Sequence, residues 1–256
     1  DTEITITAGA TQAVYTAITA LAGPGDEVII FEPAFDSYLP GIRLAGATPV
    51  FIRLEAPHFL PDWDAVARAI TPRTRLIITN TPHNPTGATW SLDDQRRLAA
   101  LCDGRDILVI SDEVYEHIMF DGREHASACR VPELAARTLL VSSFGKTFHV
   151  TGWKVGFVCA PPSLTAEFRR VHQFNVFAVN TPCQLGLADY MSEASRYLDL
   201  GAFYQQKRDD FRARMAGSRF ELLDCAGTYF QLARYDAISD EPDAVFVRRL
   251  MREAGV

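Results

Sequence analysis

The sequence predicts an α/β fold with a mostly parallel, seven-stranded sheet flanked by helices. Three observations lead there. Short apolar runs such as Val28-Ile29-Ile30-Phe31 and Ile107-Leu108-Val109-Ile110 recur along the chain without in-and-out alternation. Such runs mark strands buried on both faces. Segments with apolar residues at helical spacing separate them, and the runs end in loops rich in Gly, Pro, Asn, Ser or Asp.

Glu3-Ile4-Thr5-Ile6-Thr7 alternates as the first strand and enters the small-residue turn Ala8-Gly9-Ala10-Thr11. From Gln12 to Leu21, apolar Val14, Ala17, Ile18 and Leu21 mark a helix that Gly23-Pro24-Gly25-Asp26 ends. Strand, glycine turn and helix can set an anion at a helix N-terminus; a plain connection has the same pattern. Val28 to Phe31 is the second strand, broken by Glu32-Pro33-Ala34-Phe35. Thr48 to Leu54 is the third, followed by a helix from Trp63 to Ile70. Arg75 to Thr79 is the fourth, and its loop Asn80-Thr81-Pro82-His83-Asn84-Pro85-Thr86-Gly87 is fixed by its prolines. Ser91, with Asp94 three residues on, caps a helix from Leu92 to Cys102. Asp106 to Ile110 is the fifth strand, with Ser111-Asp112-Glu113-Val114-Tyr115 at its end. Thr138 to Val141 and Val155 to Ala160 complete the sheet.

Beyond Pro161, Ala166 to Val171 reads as helix, Val176 to Pro182 as irregular and Gln184 to Met191 as helix. Tyr197 to Met215 reads as a long exposed helix, and Gly217 marks a change of domain. Phe220 to Leu223 and Tyr229 to Leu232 pattern as a short β pair, and Ala244 to Ala254 as a helix. The division expected is a large domain over residues 1–195, then an interdomain helix and part of a small α+β C-terminal domain over 196–256. Asp1 already lies in a strand-like run, and the chain stops just after a helical pattern, so the sequence reads as a piece of a longer chain lacking its N-terminal part.

A chain of 256 residues can bury a sizeable core. Its 25 basic residues against 32 acidic ones give a net charge of -7, and no basic stripe with interleaved aromatics occurs, which argues against nucleic acid as partner. The five cysteines lack Cys-x-x-Cys spacing and fit a reducing, cytoplasmic setting. The six histidines form no ligand cluster, so no metal is expected. No apolar run has the length of a membrane span, and no signal peptide is visible.

The chemistry concentrates in Val141-Ser142-Ser143-Phe144-Gly145-Lys146-Thr147, where a buried strand runs into a small polar loop carrying one lysine. A partly desolvated amine at a strand mouth is a nucleophile toward carbonyls, whereas a surface loop would hold an ordinary solvated lysine. Two competing motifs fail. The first glycine of a phosphate-binding P-loop would fall at Leu140. Ser143-Phe144-Gly145-Lys146 has the Ser-x-x-Lys spacing of penicillin-interacting enzymes, but only Ser111-Asp112-Glu113 and Lys146-Thr147-Phe148 stand where Ser-Asp-Asn and Lys-Thr-Gly are required. Ligands of open α/β sheets bind outside the carboxyl ends of the strands. The loops bearing Gly9, Asn84, Asp112 and Lys146 all belong there.

These loops, in this order and spacing, closely resemble the fold-type I pyridoxal-phosphate aminotransferases of class I/II, over nearly the whole chain. The stretch Lys146-Thr147-Phe148-His149-Val150-Thr151-Gly152-Trp153-Lys154-Val155-Gly156 is most similar to the methionine and kynurenine (glutamine transaminase K-like) branch. The resemblance implies pyridoxal 5'-phosphate held on Lys146 as a Schiff base, with Lys146 later shuttling a proton. It implies that Asp112 lies beneath the pyridine nitrogen and that Tyr115 and Asn84 donate to the ring's phenolic oxygen. Phe35 would stack on the ring face. Gly9, Ala10 and Thr11 would hold the phosphate through backbone N–H groups, helped by the Ser143 hydroxyl and by Lys154, which stands where many relatives carry arginine. Lysine supplies that charge without the bidentate fork. Catalytic roles fall to Lys146, Asp112 and Tyr115, and the substrate pocket to Phe35, Asn84 and Phe177, the last reaching a neighbouring subunit of a homodimer with shared sites.

The implied reaction moves an amino group from an apolar, sulfur-containing or aromatic amino acid, methionine-like, to a 2-oxo acid by ping-pong chemistry. Two alternatives share these residues: β-elimination from cysteine S-conjugates, and a regulator that keeps the fold as a ligand-binding module. The family's arginine for the substrate α-carboxylate is expected beyond residue 256, and Arg234, Arg248 and Arg249 are not assigned to it.

Overall fold

The computed structural model describes residues 2–256. Seven strands form one sheet: β1 (Ile4–Thr7), β2 (Glu27–Glu32), β3 (Thr48–Arg53), β4 (Thr74–Asn80), β5 (Leu108–Asp112), β6 (Thr138–Ser143) and β7 (Gly156–Cys159). Their order is β1-β7-β6-β5-β4-β2-β3. Neighbours from β3 through β6 pair in parallel, while β7 runs antiparallel to both β6 and β1. Two reversals restore the direction, so β1 points the same way as β6. The carboxyl ends of β1, β4, β5 and β6 and the amino end of β7 therefore share one edge.

The central strands are apolar on both faces because helices cover both. On one side lie α1 (Ala10–Leu21), α2 (Tyr38–Leu44) and α7 (Pro162–Asn175). Their Val14, Ile18, Ile42 and Phe168 pack with Val28, Ile30, Leu76, Ile78 and Ile110. The alternate strand residues Ile29, Phe31, Ile77 and Val109 face the other way, onto α3 (Trp63–Ala69) and α4 (Leu92–Cys102) through Val66, Leu98 and Cys102. Burying an aliphatic side chain fully contributes about 1.5–3 kcal/mol, so β2, β4 and β5 are held from both sides. Ser91 and Asp94 close a reciprocal capping box at the start of α4, as the spacing predicts.

Several boundaries differ from expectation. β5 continues through Ser111 and Asp112, because these pair with Thr79 and Asn80 of β4. β6 likewise runs on through Ser142 and Ser143, paired with Phe157 and Gly156. Helix α2 has no sequence signal, since Pro40 and Gly41 fall within its seven residues. Gly41 is there for proximity: a Cβ on it would lie 3.1 Å from Ile18 Cδ1.

After the one-turn α5 (Pro132–Ala135) and α6 (Phe144–Thr147), the chain forms α7, α8 (Thr181–Tyr190), α9 (Ser195–Leu198), α10 (Leu200–Met215) and α11 (Asp243–Ala254). The long helix expected from Tyr197 is interrupted at Asp199, where Leu200 turns into the core and Gly201 presses on the Met119 carbonyl. The short β pair is Glu221–Leu222 with Ala233–Arg234, not Phe220–Leu223 with Tyr229–Leu232. Residues 226–228 are drawn away from that pair: Ala226 N–H donates to Gly87 O, Thr228 N–H donates to Ile118 O, and Phe120 N–H donates back to Ala226 O. That tether brings Tyr229 and Phe230 to the carboxyl edge of the sheet.

Candidate active site

β1 delivers the first piece of the site. Gly9 takes φ +80° between Thr7 and the first turn of α1, a conformation that favours glycine. A side chain there would also meet Lys154, whose Cε would lie 3.4 Å from its Cβ. No side chain caps α1, so the N–H groups of its first turn are free to hold an anion, with the Lys154 ammonium beside them. Lys154 reaches this place because β7 starts on the same edge.

Strands β4 and β5 deliver the second piece. Asp112, 5% exposed, accepts the Tyr38 hydroxyl at Oδ2 (2.6 Å) and Val114 N–H at Oδ1 (3.3 Å). Burial pushes its carboxyl up to about 6, opposed by those two donors and by Lys146 and reinforced by Glu113. Asn80 fixes the neighbouring loop: its Nδ2 donates to Asp112 O at 2.9 Å, and its Oδ1 accepts Asn84 N–H at 2.7 Å. In the same loop His83 Nδ1 lies 2.7 Å from Thr86 Oγ1, and burial holds its imidazole down at about 4. Behind Asp112, the buried Glu113 carboxylate accepts Ser111 Oγ at 2.8 Å and Ala128 N–H at 3.0 Å, with His125 Nε2 at 2.6 Å. This anchors the strand end.

β6 delivers the lysine. Ser143 accepts Gly145 N–H at 3.2 Å and so starts α6. Thr151 donates to Gly145 O at 3.1 Å and holds the turn closed. Lys146, half-buried, places Nζ 5.7 Å from the centroid of the Tyr229 ring. Tyr115 meets Tyr229 edge to face at 5.3 Å, with the hydroxyls 3.5 Å apart, and burial holds the Tyr115 phenol well above its usual range.

These pieces enclose one cavity of about 340 Å³. Gly9, Ala10, Thr11, Phe35, Asn84, Asp112, Tyr115, Ser143, Lys146 and Lys154 all line it, as the sequence expects. Asn80, Val114, Thr151, Tyr229 and Phe230 join them without having been singled out from the sequence. Phe177 does not: it is 85% exposed and lies outside this cavity. A second cleft of about 390 Å³ holds Arg123, Arg208 and Arg212, but Arg208 is committed to Asp121 and Asp209. None of the expected site residues lies there.

An open α/β sheet with a buried carboxylate at one strand end and a lysine at the next is the arrangement of a fold-type I transferase. The sequence matches the family "Aminotransferase class I and II" over residues 1–256. The chain belongs to that family. Methionine aminotransferase of Escherichia coli is 51% identical over 257 residues, covering all of this chain and 67% of that protein. Kynurenine--oxoglutarate transaminase 1 of Rattus norvegicus is 36% identical, covering 91% of this chain and 59% of that protein. The crystal structure of YbdL from Escherichia coli, identified with a methionine aminotransferase function, superposes with TM-score 0.98 at 50% identity, covering all of this chain and 68% of that one. The chain thus spans about two thirds of the length of these relatives or less.

Proposed function

We propose that this chain is the catalytic core of a pyridoxal-phosphate-dependent aminotransferase acting on an apolar, sulfur-containing or aromatic amino acid, methionine-like, with a 2-oxo acid as acceptor. The single observation that carries it is the cavity itself, where Lys146, Asp112, Tyr115 and Asn84 meet an uncapped helix N-terminus. Similarity to a methionine aminotransferase supports the donor class.

The donor set fits a phosphorylated pyridine aldehyde. The first turn of α1 and Lys154 offer N–H groups and a cation for a phosphate, with Ser143 nearby. Asp112 is a buried anion that takes part in none of the salt bridges among the described residues, so a protonated ring nitrogen would complete it. When bound, the cofactor supplies the electron sink for charge leaving the substrate's Cα. The protein's own residues do the rest. Lys146 Nζ would anchor the aldehyde and, once displaced by the substrate's amino group, would be the free amine that accepts the proton leaving Cα. Tyr115 and Asn84 would hold the phenolic oxygen through hydrogen bonds, and Phe35 would cover the ring. Tyr229, its ring centroid 5.7 Å from Nζ, and Phe230 wall the cavity with apolar surface.

In this reading residues 1–195 form the large domain, and 196–256 the interdomain helix and start of the small one. The chain pairs as a homodimer, supported by exposed Phe174, Phe177 and Leu185 on α7, α8 and the segment between them, with Phe177 reaching the partner's pocket. No helix among the described residues is long and apolar enough to cross a membrane. Five free thiols suit a cytoplasmic setting.

The test is chemical. Protein incubated with pyridoxal phosphate and reduced with borohydride should carry the label on Lys146 alone, read by peptide mapping. Label on Lys154 or elsewhere overturns the assignment.

A further inference from the structure

Tyr38 has no part in the chemistry described so far, yet it touches the residue on which that chemistry depends. It is the first residue of α2, 3% exposed, packed among the core side chains on the α1 face and edge to face with Phe35 at 5.7 Å. Its hydroxyl lies 2.6 Å from Asp112 Oδ2, across 74 residues of sequence. The other carboxylate oxygen accepts only Val114 N–H, at 3.3 Å, so Oδ1 keeps lone-pair capacity for a ligand in the cavity.

We infer that Tyr38 is the positioning residue that holds the Asp112 carboxyl in its ionised form and fixes its plane at the cavity wall. The consequence for catalysis rests on the cofactor reading above; the coupling between the two side chains does not. A hydrogen bond donated to a buried carboxylate stabilises the anion over the acid, and charge-assisted bonds are the stronger kind. Only the anion can hold a protonated ring nitrogen. The other groups facing Asp112 are Lys146 from α6, the adjacent Glu113, and Tyr115 three residues on. Lys146 favours the anion and Glu113 opposes it; among the described residues Tyr38 is the one side chain that donates a hydrogen bond to it. The phenol itself is pushed well above its usual range by burial and by Asp112, so it remains a donor at any working pH.

The experiment uses the cofactor-free protein and isotope-edited infrared spectroscopy of its aspartate carboxyls, the Asp112 band being assigned by its loss in Asp112→Asn. Tyr38→Phe removes one donor from the anion and should raise the Asp112 midpoint by about one to two pH units. A 3-fluorotyrosine installed at position 38 is a more acidic, stronger donor of nearly the same size and should lower it. An unchanged midpoint in both proteins overturns the inference, and the fluorinated protein decides alone if Tyr38→Phe does not fold. Because no cofactor is present, the outcome is separable from the function. Shifted midpoints with no label on Lys146 would retain Tyr38 and reject the aminotransferase chemistry, and the reverse result would do the opposite.

Discussion

The side-chain amide of Asn80 spans two loops, donating to the carbonyl of Asp112 and accepting from the amide of Asn84. Asn80 ends β4 and Asp112 ends β5, and the two are direct partners in the ladder. The last residue of one strand thus sets the start of the loop that carries Asn84. Asn80→Ala leaves the Asn84 N–H without its acceptor, and a buried unsatisfied polar group costs about 1–3 kcal/mol. The expected result is a loss of about 2 kcal/mol in denaturant unfolding together with weaker pyridoxal phosphate binding. Asn80→Asp keeps the acceptor but sets a buried carboxylate oxygen against the Asp112 carbonyl, and should recover none of the stability. A midpoint for Asn80→Ala equal to wild type would show that the loop is held by its prolines alone.

A second prediction follows from the burial of Asp112. Its carboxyl sits at about 6 in the folded cofactor-free chain against an ordinary 3.8, so the folded state holds the proton more tightly than the unfolded one. The stability this contributes is fully present below about 4 and is lost as pH rises through about 6. It amounts to on the order of 3 kcal/mol. His83 works against it in the same window: held at about 4 rather than 6.5, it contributes stability above 6.5 that fades as pH falls toward 4. The comparison is therefore wild type against Asp112→Asn, in which the His83 contribution cancels. From pH 7 to pH 4 the wild type should gain on the variant by that amount, as read from urea midpoints. A constant difference across the range would mean that Asp112 titrates normally. Saturating pyridoxal phosphate should flatten the dependence, since a cationic partner keeps the carboxylate ionised.

The third prediction concerns the amino donor. Phe35, Tyr115, Tyr229 and Phe230 line the cavity, and its basic side chains are Lys146 and Lys154. Both are committed in the proposed site, one to the aldehyde and one to the phosphate. A donor with a second carboxylate would bury that charge against aromatic rings, at a cost of several kcal/mol. Methionine and phenylalanine should therefore turn over at least a hundredfold faster than aspartate in single-turnover assays. Aspartate matching methionine would point to a cation that this chain's cavity does not supply.

The sheet was legible because a strand buried on both faces has to be apolar at every position. The seven strands stand where the sequence places them, β1 by its alternation and the central ones by their apolar runs, and the loops with Gly9, Asn84, Asp112 and Lys146 converge on one cavity. Residues that act through a neighbour were not legible. Tyr38 lies three positions after Phe35, in a helix hidden by Pro40 and Gly41, and its partner is 74 residues away. Tyr229 opens a stretch that patterns as a short strand, and the tether of residues 226–228 to Gly87 and Ile118 turns it into the site. Asn80 could have been read as the residue that opens the Pro-rich loop; its two hydrogen bonds run to atoms that pattern alone cannot bring together. Phe177 was assigned through resemblance to a pocket in another subunit, and a single chain leaves it on the surface.

The reversed strand β7 has a consequence for how this protein tolerates change. Because β6 and β7 are antiparallel neighbours, the segment from Lys146 to Lys154 lies in the connection of a hairpin whose two arms are zipped in fixed register from Ser143–Gly156 downward. Thr151, Gly152 and Trp153 are exposed at its tip, the kind of place where insertions are ordinarily harmless. Here the tip is a spacer between two amines that line one cavity and, in the proposed function, would hold opposite ends of one small ligand. Adding or removing a residue would leave every strand intact and still throw one amine out of reach, so the length of this exposed stretch is under tighter constraint than the identity of most residues in the core.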